Sequence, residues 1–282
     1  MLLVYLIQPN RTIDDYNCQW FESRNFYGDT TQLCLRDSRD YISNFIRLFG
    51  RWYDCDEIEK QLKTRNGKSY LDIGANIGSC VAAVASQDVK IVAFEASPAN
   101  FFYLKSTVEK LNYSDIEIYN FGIGNEHDFG TIIENDANQG GSYIRKVNNN
   151  DAIQIELITI DSTMDINEVF DVVQIDVEGS ECKVICGALN TIIAGNWKYL
   201  QTEFDNRLLR YQNCSSEIYL NMLMKLGFKK IGQTCAFPTF GKYFLIQDYM
   251  FEWESPFDNT GQIEIRTFCE SMNKNGYSPF LF

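Results

Sequence analysis

Two acids at the ends of short apolar runs carry the first chemical signal. In Leu71-Asp72-Ile73-Gly74-Ala75-Asn76-Ile77-Gly78, Asp72 closes an apolar run, two glycines bend a turn, and a helix-like stretch follows. Such a turn lets a nucleotide-like ligand approach bare backbone. A helix N-terminus attracts anions, so an acid at the same turn shifts the preference towards a cationic ligand. S-adenosylmethionine (SAM), with its ammonium and sulfonium groups, is such a ligand. A dinucleotide fingerprint requires glycine at its first, third and sixth positions. Here the third position is Asn76 and the next glycine comes at the fifth, which disfavours NAD. Residues 89–95 then read as a buried parallel strand ending in Glu95, 21 residues past Gly74. That is close to the ~20 residues expected for a carboxylate that reaches ribose hydroxyls. Dehydrogenases share this second acid, so it points to a nucleoside without choosing the cofactor.

A second cluster follows at residues 170–181. An apolar run delivers Asp176 to its end, and Glu178 and Glu181 crowd the turn and the first helical turn after it. Ligands of open α/β sheets bind at the carboxyl ends of strands, near the switch point. Glu181 also reads simply as a complement to the helix dipole, and Glu178 as a solvated turn residue.

The elements that must position these acids alternate. Strand patterns fall at 69–73, 89–95, 115–121, 171–176, 197–204, 227–232 and 242–248. Helical patterns fall near 77–87, 98–111, 180–194 and 215–226. The alternation argues for an α/β domain with a mostly parallel sheet. Pro98 suits a first helical turn and Gly227 a helix C-cap. The interval 122–168 is glycine- and asparagine-rich and predicts a β-rich insertion or loop, with strands near 131–134 and 153–158. Three regions result: an irregular-to-helical extension at 1–65 capping the substrate side, a catalytic domain at 66–250, and an aromatic tail at 251–282 packed on that domain.

These segments together resemble the FkbM family of SAM-dependent methyltransferases. The resemblance rests on residues 71–78, on Ala93-Phe94-Glu95-Ala96-Ser97-Pro98-Ala99-Asn100, on Leu111-Asn112 and on Thr159-Ile160-Asp161. It rests further on Ile175-Asp176-Val177-Glu178-Gly179-Ser180-Glu181 with Gly187-Ala188, and it covers about residues 45–250. It implies a Rossmann-like class I methyltransferase fold: a seven-stranded, mostly parallel sheet with helices on both faces and the last strand antiparallel. It also implies O-methylation of a hydroxyl on a sugar, glycan, polyketide or related small molecule. One position departs. The family commonly carries lysine just ahead of the Ile-Asp-Val-Glu-Gly run, and Gln174 stands there.

The cofactor assignments follow from the turn and the fold analogy. Asp72 faces the methionine ammonium, and Gly74, Asn76 and Gly78 shape the turn. Glu95 takes the ribose hydroxyls, Ala96 and Ser97 run alongside the adenosine, and Gly122 lies under adenine. A hydroxyl is a poor nucleophile and calls for a base. The order of candidates is Asp176, then Glu203, then Glu178, since crowded carboxylates raise one another's pKa. The lone histidine, His127, reads as a surface residue. A divalent metal variant would use Asp176, Glu203 or Asp205, and Asn206. Trp20, Trp52, Tyr53 and Trp253 offer sugar-stacking faces or, more plainly, packing. The competing readings are an inactive methyltransferase-like binding module and, further off, an NAD-dependent oxidoreductase.

A chain of 282 residues with net charge −13 has room for a large core and shows no basic cluster for nucleic acid. The apolar run Met1 to Ile7 is too short to span a bilayer and lacks a basic n-region. Nine cysteines occur without a Cys-x-x-Cys pair, which disfavours zinc. The odd count and irregular spacing predict reduced thiols in a cytoplasmic protein, with Cys80 and Cys182 as small buried hydrophobes. Three glycosylation tripeptides, at Asn10, Asn112 and Asn213, then read as chance.

Overall fold

The computed structural model describes residues 16–25, 27–37, 40–111, 113, 115–133, 143–145, 153–238, 245–255 and 259–274. The chain opens with an antiparallel hairpin, β1 (Gln19–Arg24) and β2 (Thr30–Leu35), then α1 (Tyr41–Phe49) and α2 (Cys55–Thr64). The alternating unit follows: β3 (Ser69–Ile73), α3 (Ser79–Val84), β4 (Lys90–Phe94), α4 (Pro98–Leu111) and β5 (Ile116–Tyr119). An inserted sheet comes next, with β6 (Gly122–Ile123), β7 (Asp128–Ile133), β8 (Tyr143–Arg145) and β9 (Ile153–Ile158), closed by α5 (Ile160–Thr163). The second half holds β10 (Phe170–Ile175), α6 (Glu181–Gly187), α7 (Leu189–Ile193), β11 (Trp197–Phe204), α8 (Asn206–Tyr211) and α9 (Ser216–Lys225). The last elements are β12 (Phe228–Pro238), β13 (Leu245–Trp253) and α10 (Asn259–Lys274).

The main sheet has seven strands in the order β12-β13-β11-β10-β3-β4-β5. From β11 to β5 every pairing is parallel, and β13 runs antiparallel to both β11 and β12. Strand order reverses between β3 and β10, which places the switch point beside Asp72 and Asp176. The central strands are apolar on both faces because helices cover both. Leu71, Ile73, Val173 and Ile175 join a core with residues of α6, α7, α9 and α10. Tyr70, Ile91, Ala93 and Val172 pack on the other face with residues of α2, α3 and α4. This is the Rossmann-like class I methyltransferase topology. Among the described residues, no helix is long and apolar enough to cross a membrane.

Two expectations need correction. The N-terminal region is not only irregular and helical: the β1–β2 hairpin precedes α1. Its buried stretch, Leu33 to Leu35, lies against α4, and Cys34 N–H donates to Thr107 Oγ1 at 3.0 Å. A six-residue strand whose partner is equally short leaves little periodic signal. Eight of the nine cysteines are also not free thiols. Cys18–Cys34, Cys55–Cys80, Cys182–Cys214 and Cys186–Cys269 are disulfide-bonded. Packing, not spacing, brings each pair together: Cys55 and Cys80 sit on α2 and α3, and Cys186 and Cys269 on α6 and α10. Burial of Cys80 and Cys182 is as expected.

The inserted sheet, ordered β6-β9-β7-β8, fulfils the β-rich expectation for 122–168. Of the aromatic tail, α10 lies on the domain through Ile265, Phe268, Cys269 and Met272. Tyr277, Phe280 and Phe282, like Met1 to Ile7, lie outside the described residues.

Candidate active site

The turns after β3, β4, β10 and β11 meet along one edge of the sheet and line a cleft of about 1010 Å³. Sequence dictates how closely they approach. Gly74 has φ +99°, and Asn76 has φ +52°, a conformation asparagine tolerates better than most residues. The Gly74 and Ala75 N–H groups both donate to the Phe94 carbonyl, at 2.9 and 3.0 Å, tying the first turn to the end of β4. Gly179 (φ +98°) does the same service for α8, since a β-carbon there would meet the Leu208 backbone at 2.6 Å.

Glu95 fastens the turns after β3 and β4 together. Its Oε2 accepts Asn76 N–H at 2.8 Å, and its Oε1 accepts Ser97 N–H at 2.8 Å and the Asn100 amide at 3.3 Å. Arg36, from the segment after β2, donates to Asn100 Oδ1 and so reaches the site through one residue. Burial raises the Glu95 carboxyl, and the backbone donors at Ser97 and Asn76 pull it back.

Asp72 is 2% exposed. Burial pushes its carboxyl up to about 7, against the pull of the neighbouring Tyr70 hydroxyl. That hydroxyl also donates to Gln174 Oε1 at 2.6 Å. Gln174 is therefore a buried neutral neighbour of Asp72, paired with it across β3 and β10.

The part of the cleft at the ends of β10 and β11 is dominated by carboxylates. Asp176, Glu178 and Glu203 can each present one oxygen within 4.8 Å of the others. Asp54, just before α2, and Asp248, on β13, stand behind them in a small side cavity shared with Gln174 and Gln201. Burial, then the charges of Asp248 and Glu181, hold Asp176 well above the usual carboxylate range. Burial, then Glu178 and Asp176, do the same for Glu203, and burial with Asp176 does so for Glu178. Asp54 is raised by burial and by Asp248, whereas Asp248 is pushed to about 6 and is pulled down by the hydrogen bond from Asp54. Asp54 is thus the member of that pair that keeps its proton to higher pH.

The structure brings Asp72, Gly74, Asn76, Glu95, Ala96, Ser97, Gly122, Asp176, Glu178 and Glu203 to the lining of one cleft. Gly78 does not line it. Its missing side chain instead admits Leu104, which a β-carbon would meet at 2.8 Å. Gly122 lines the cleft, yet its lack of a β-carbon also seats Leu157. Glu181 is buried, with Oε1 accepting Gly179 N–H at 3.0 Å, a turn-closing role that goes beyond dipole complement. His127 is a surface residue paired with Glu156 at 2.8 Å. Asp205 caps α8 and pairs with Arg207, and Asn206 Oδ1 accepts Ser216 N–H at 3.0 Å, so both oxygen donors are committed elsewhere.

Other motif residues turn out to be structural. Asp161 accepts Asn190 N–H, Thr191 N–H and the Thr191 hydroxyl, and so caps α7. Gly187 lets α6 touch the inserted sheet, because a β-carbon there would meet the Gly124 carbonyl at 1.9 Å. Sequence reasoning missed Asp54 and Asp248. It also missed Tyr41 and Tyr211, which join Trp52 and Tyr53 on the rim with Arg207 and Arg210. Trp20 and Trp253 are not part of that lining: Trp253 Nε1 donates to the Leu226 carbonyl at 3.0 Å and its ring covers Gly195.

A model of the methyltransferase FkbM domain matches residues 72–229. Comparison with curated protein sequences finds no match. Among solved structures, magnesium protoporphyrin IX methyltransferase (ChlM) from Synechocystis PCC 6803 with bound SAM is 12% identical, with 76% of this chain and 85% of that chain covered and a TM-score of 0.43. The N-methyltransferase NodS from Bradyrhizobium japonicum WM9 is 11% identical over 73% of this chain and 97% of that one, with a TM-score of 0.42. TYW2 from M. jannaschii in complex with AdoMet is 11% identical over 85% and 89% of the two chains, with a TM-score of 0.38.

Proposed function

The chain belongs to the FkbM methyltransferase family, and from that premise we propose that it transfers a methyl group from SAM to a hydroxyl of a sugar, glycan or related small molecule. The observation that carries this reading is the placement of two acid sets in one cleft. Asp72 and Glu95 lie at the ends of β3 and β4, and Asp176, Glu178 and Glu203 at the ends of β10 and β11.

The residues present fit SAM. A cleft of about 1010 Å³ has room for a nucleoside cofactor and an acceptor together. Asp72 is a buried carboxylate held near neutrality, suited to a ligand ammonium. Both Glu95 oxygens are oriented by backbone N–H groups, and Oε2, which accepts a single hydrogen bond, retains capacity to accept a ribose hydroxyl. When bound, the cofactor would supply an electrophilic methyl carbon on sulfonium, open to in-line attack by the acceptor oxygen, with the thioether sulfur as leaving group taking the C–S bonding pair.

The chain's own part is alignment and proton removal. The acceptor hydroxyl gives its proton to a carboxylate, with Asp176 first, then Glu203, then Glu178. Their raised pKa values suit a base that works near neutral pH. The rim supports a carbohydrate acceptor: Tyr41, Trp52, Tyr53 and Tyr211 offer ring faces, and the acids offer hydroxyl acceptors. Residues 1–65 then act as a substrate-side cap, since Tyr41, Trp52, Tyr53 and Asp54 all come from them.

The cysteines support a reading of the compartment. Four disulfides favour an oxidising compartment, such as the secretory lumen or cell exterior, over the reduced cytoplasm of the sequence-based expectation. Asn213, in one of the three glycosylation tripeptides, is exposed just before α9, as such a location requires.

Calorimetric titration with SAM and with NAD, on the wild type and on Asp72→Ala, tests the cofactor. Micromolar SAM binding that is lost in the variant, with NAD silent, is expected. A folded protein that ignores SAM overturns the reading. Methyl transfer to a panel of sugar hydroxyls, lost in Asp176→Asn with SAM binding retained, is expected for the acceptor side.

A further inference from the structure

We propose that Asp176, Glu178 and Glu203 bind one divalent, oxygen-preferring cation. The inference goes beyond methyl transfer and does not need it to be correct.

Geometry sets the scale. The three carboxylates each place one oxygen within 4.8 Å of the other two. Calcium holds oxygen ligands at roughly 2.3–2.6 Å, so ligands on opposite sides of it stand about 4.6–5.2 Å apart. Three oxygens confined to this span fit around a single ion of that size, with room for water or an acceptor hydroxyl in the remaining positions.

A second observation comes from outside the triad. Asp54 Oδ1 and Gln201 Oε1 are buried acceptors without a donor, as is Glu203 Oε2 within it. Asp54 is 8% exposed and Gln201 is 2% exposed. Both line the side cavity that opens against Asp176, Glu203 and Asp248. Gln201 is anchored from its other end, where Nε2 donates to the Asp54 carbonyl at 3.0 Å, so its oxygen is fixed in place. Buried acceptors normally find a donor, and leaving one unpaired is destabilising. Here carboxylate and amide oxygens converge from β10, β11, β13 and the start of α2, and the Asp54–Asp248 hydrogen bond leaves Gln201 Oε1 and Glu203 Oε2 without a donor. A cation, with its bound water reaching into the side cavity, satisfies them together.

Positive charge beside the three carboxylates is limited, among the described residues, to one arginine, Arg207, which acts on Glu178 and Glu203. Among the described residues, the cleft lining contributes two cationic side chains, Arg207 and Arg210. Arg207 is paired with Asp205 at 2.6 Å. Position 174, flanking the cluster on β10, is a neutral glutamine whose oxygen is taken by Tyr70. The ligand set also differs from the one expected from sequence, because Asp205 and Asn206 are committed to capping α8 and to Ser216. If the proposed methyl transfer holds, the ion would orient the acceptor hydroxyl and lower its pKa.

The test uses the full chain with its disulfides intact, stripped by chelator and free of SAM. Terbium is the probe, because Trp52 lines the same cleft and is placed to sensitise its emission. Saturable emission is expected, displaced by calcium and weakened at least tenfold in Glu203→Gln and in Glu178→Gln. Glu264→Gln, on the surface of α10, should bind as the wild type does. No emission from folded wild type at millimolar terbium overturns the proposal, as does unchanged affinity in both cleft variants. Should a variant fail to fold, the wild type decides: a saturable calcium-dependent rise in Tm supports the site, and no shift overturns it. SAM binding with no ion binding removes this inference alone. Ion binding without SAM binding removes only the methyltransferase reading.

Discussion

A β-carbon at Gly74 would stand 1.8 Å from the Asp176 carbonyl oxygen. The turn after β3 therefore rests directly on the backbone of Asp176, the first residue proposed as base. Asp176 N–H completes the contact by donating to the Ile73 carbonyl at 3.0 Å. The two halves of the site are one rigid junction at the switch point of the sheet.

Gly74→Ala should break that junction. The new methyl group meets backbone, which cannot rotate away, and the φ of +99° is strained for any residue with a β-carbon. Strain of this kind costs on the order of 1–3 kcal/mol before the clash is counted. A loss of ~3 kcal/mol or more in denaturant unfolding is expected, with SAM affinity falling even where the protein still folds. Wild-type stability and affinity in the variant would show that the turns are not in contact.

Asp72 makes the protein's response to pH unusual in sign. Its folded pKa is about 7, above the unfolded value of 3.8. The carboxyl is thus held neutral by the fold, and its contribution is fully present below pH 3.8 and lost as pH rises through 7. At ~1.4 kcal/mol per pH unit this comes to roughly 4 kcal/mol. Glu181, also pushed to about 7, adds in the same direction. The ligand-free protein should melt at a higher temperature near pH 5 than near pH 8. SAM binding is expected to show the opposite trend, because the proposed ammonium contact needs the ionised carboxylate. Affinity should rise about tenfold between about pH 5.5 and pH 7, and Asp72→Asn should flatten both profiles. Calorimetry and scanning fluorimetry across that range check the two trends.

What could be read from the sequence was what the backbone makes local. Asp72 and Glu95 were legible because each closes an apolar strand and precedes a turn, so strand, turn and acid sit in consecutive residues. Asp176 was legible for the same reason. Asp54 and Asp248 were not. Asp54 reads as an acid at a helix start, and Asp248 lies inside β13, whose antiparallel course no local pattern announces. Thr159 and Asp161 were visible as a motif but not as helix caps, since Asp161 acts on α7 some 30 residues away. The disulfides left no trace because partners lie between 16 and 83 residues apart, with no repeated interval.

Those disulfides give the last prediction. Cys186–Cys269 closes a segment of 83 residues and ties α10 to α6, where Ile265 and Phe268 complete the core. In the chain-entropy account a loop of that size restrains the unfolded state by roughly 4 kcal/mol. Replacing both cysteines with serine should therefore lower Tm by roughly 10 °C for a domain of this size. The loss should be greater than for Cys55–Cys80, whose partners are only 25 residues apart. Thiol titration of the denatured, unreduced protein should find one free thiol out of nine, since eight cysteines are paired. Nine reactive thiols, or a Tm indifferent to reductant, would return the protein to a reducing compartment and remove the argument for a lumenal or extracellular acceptor.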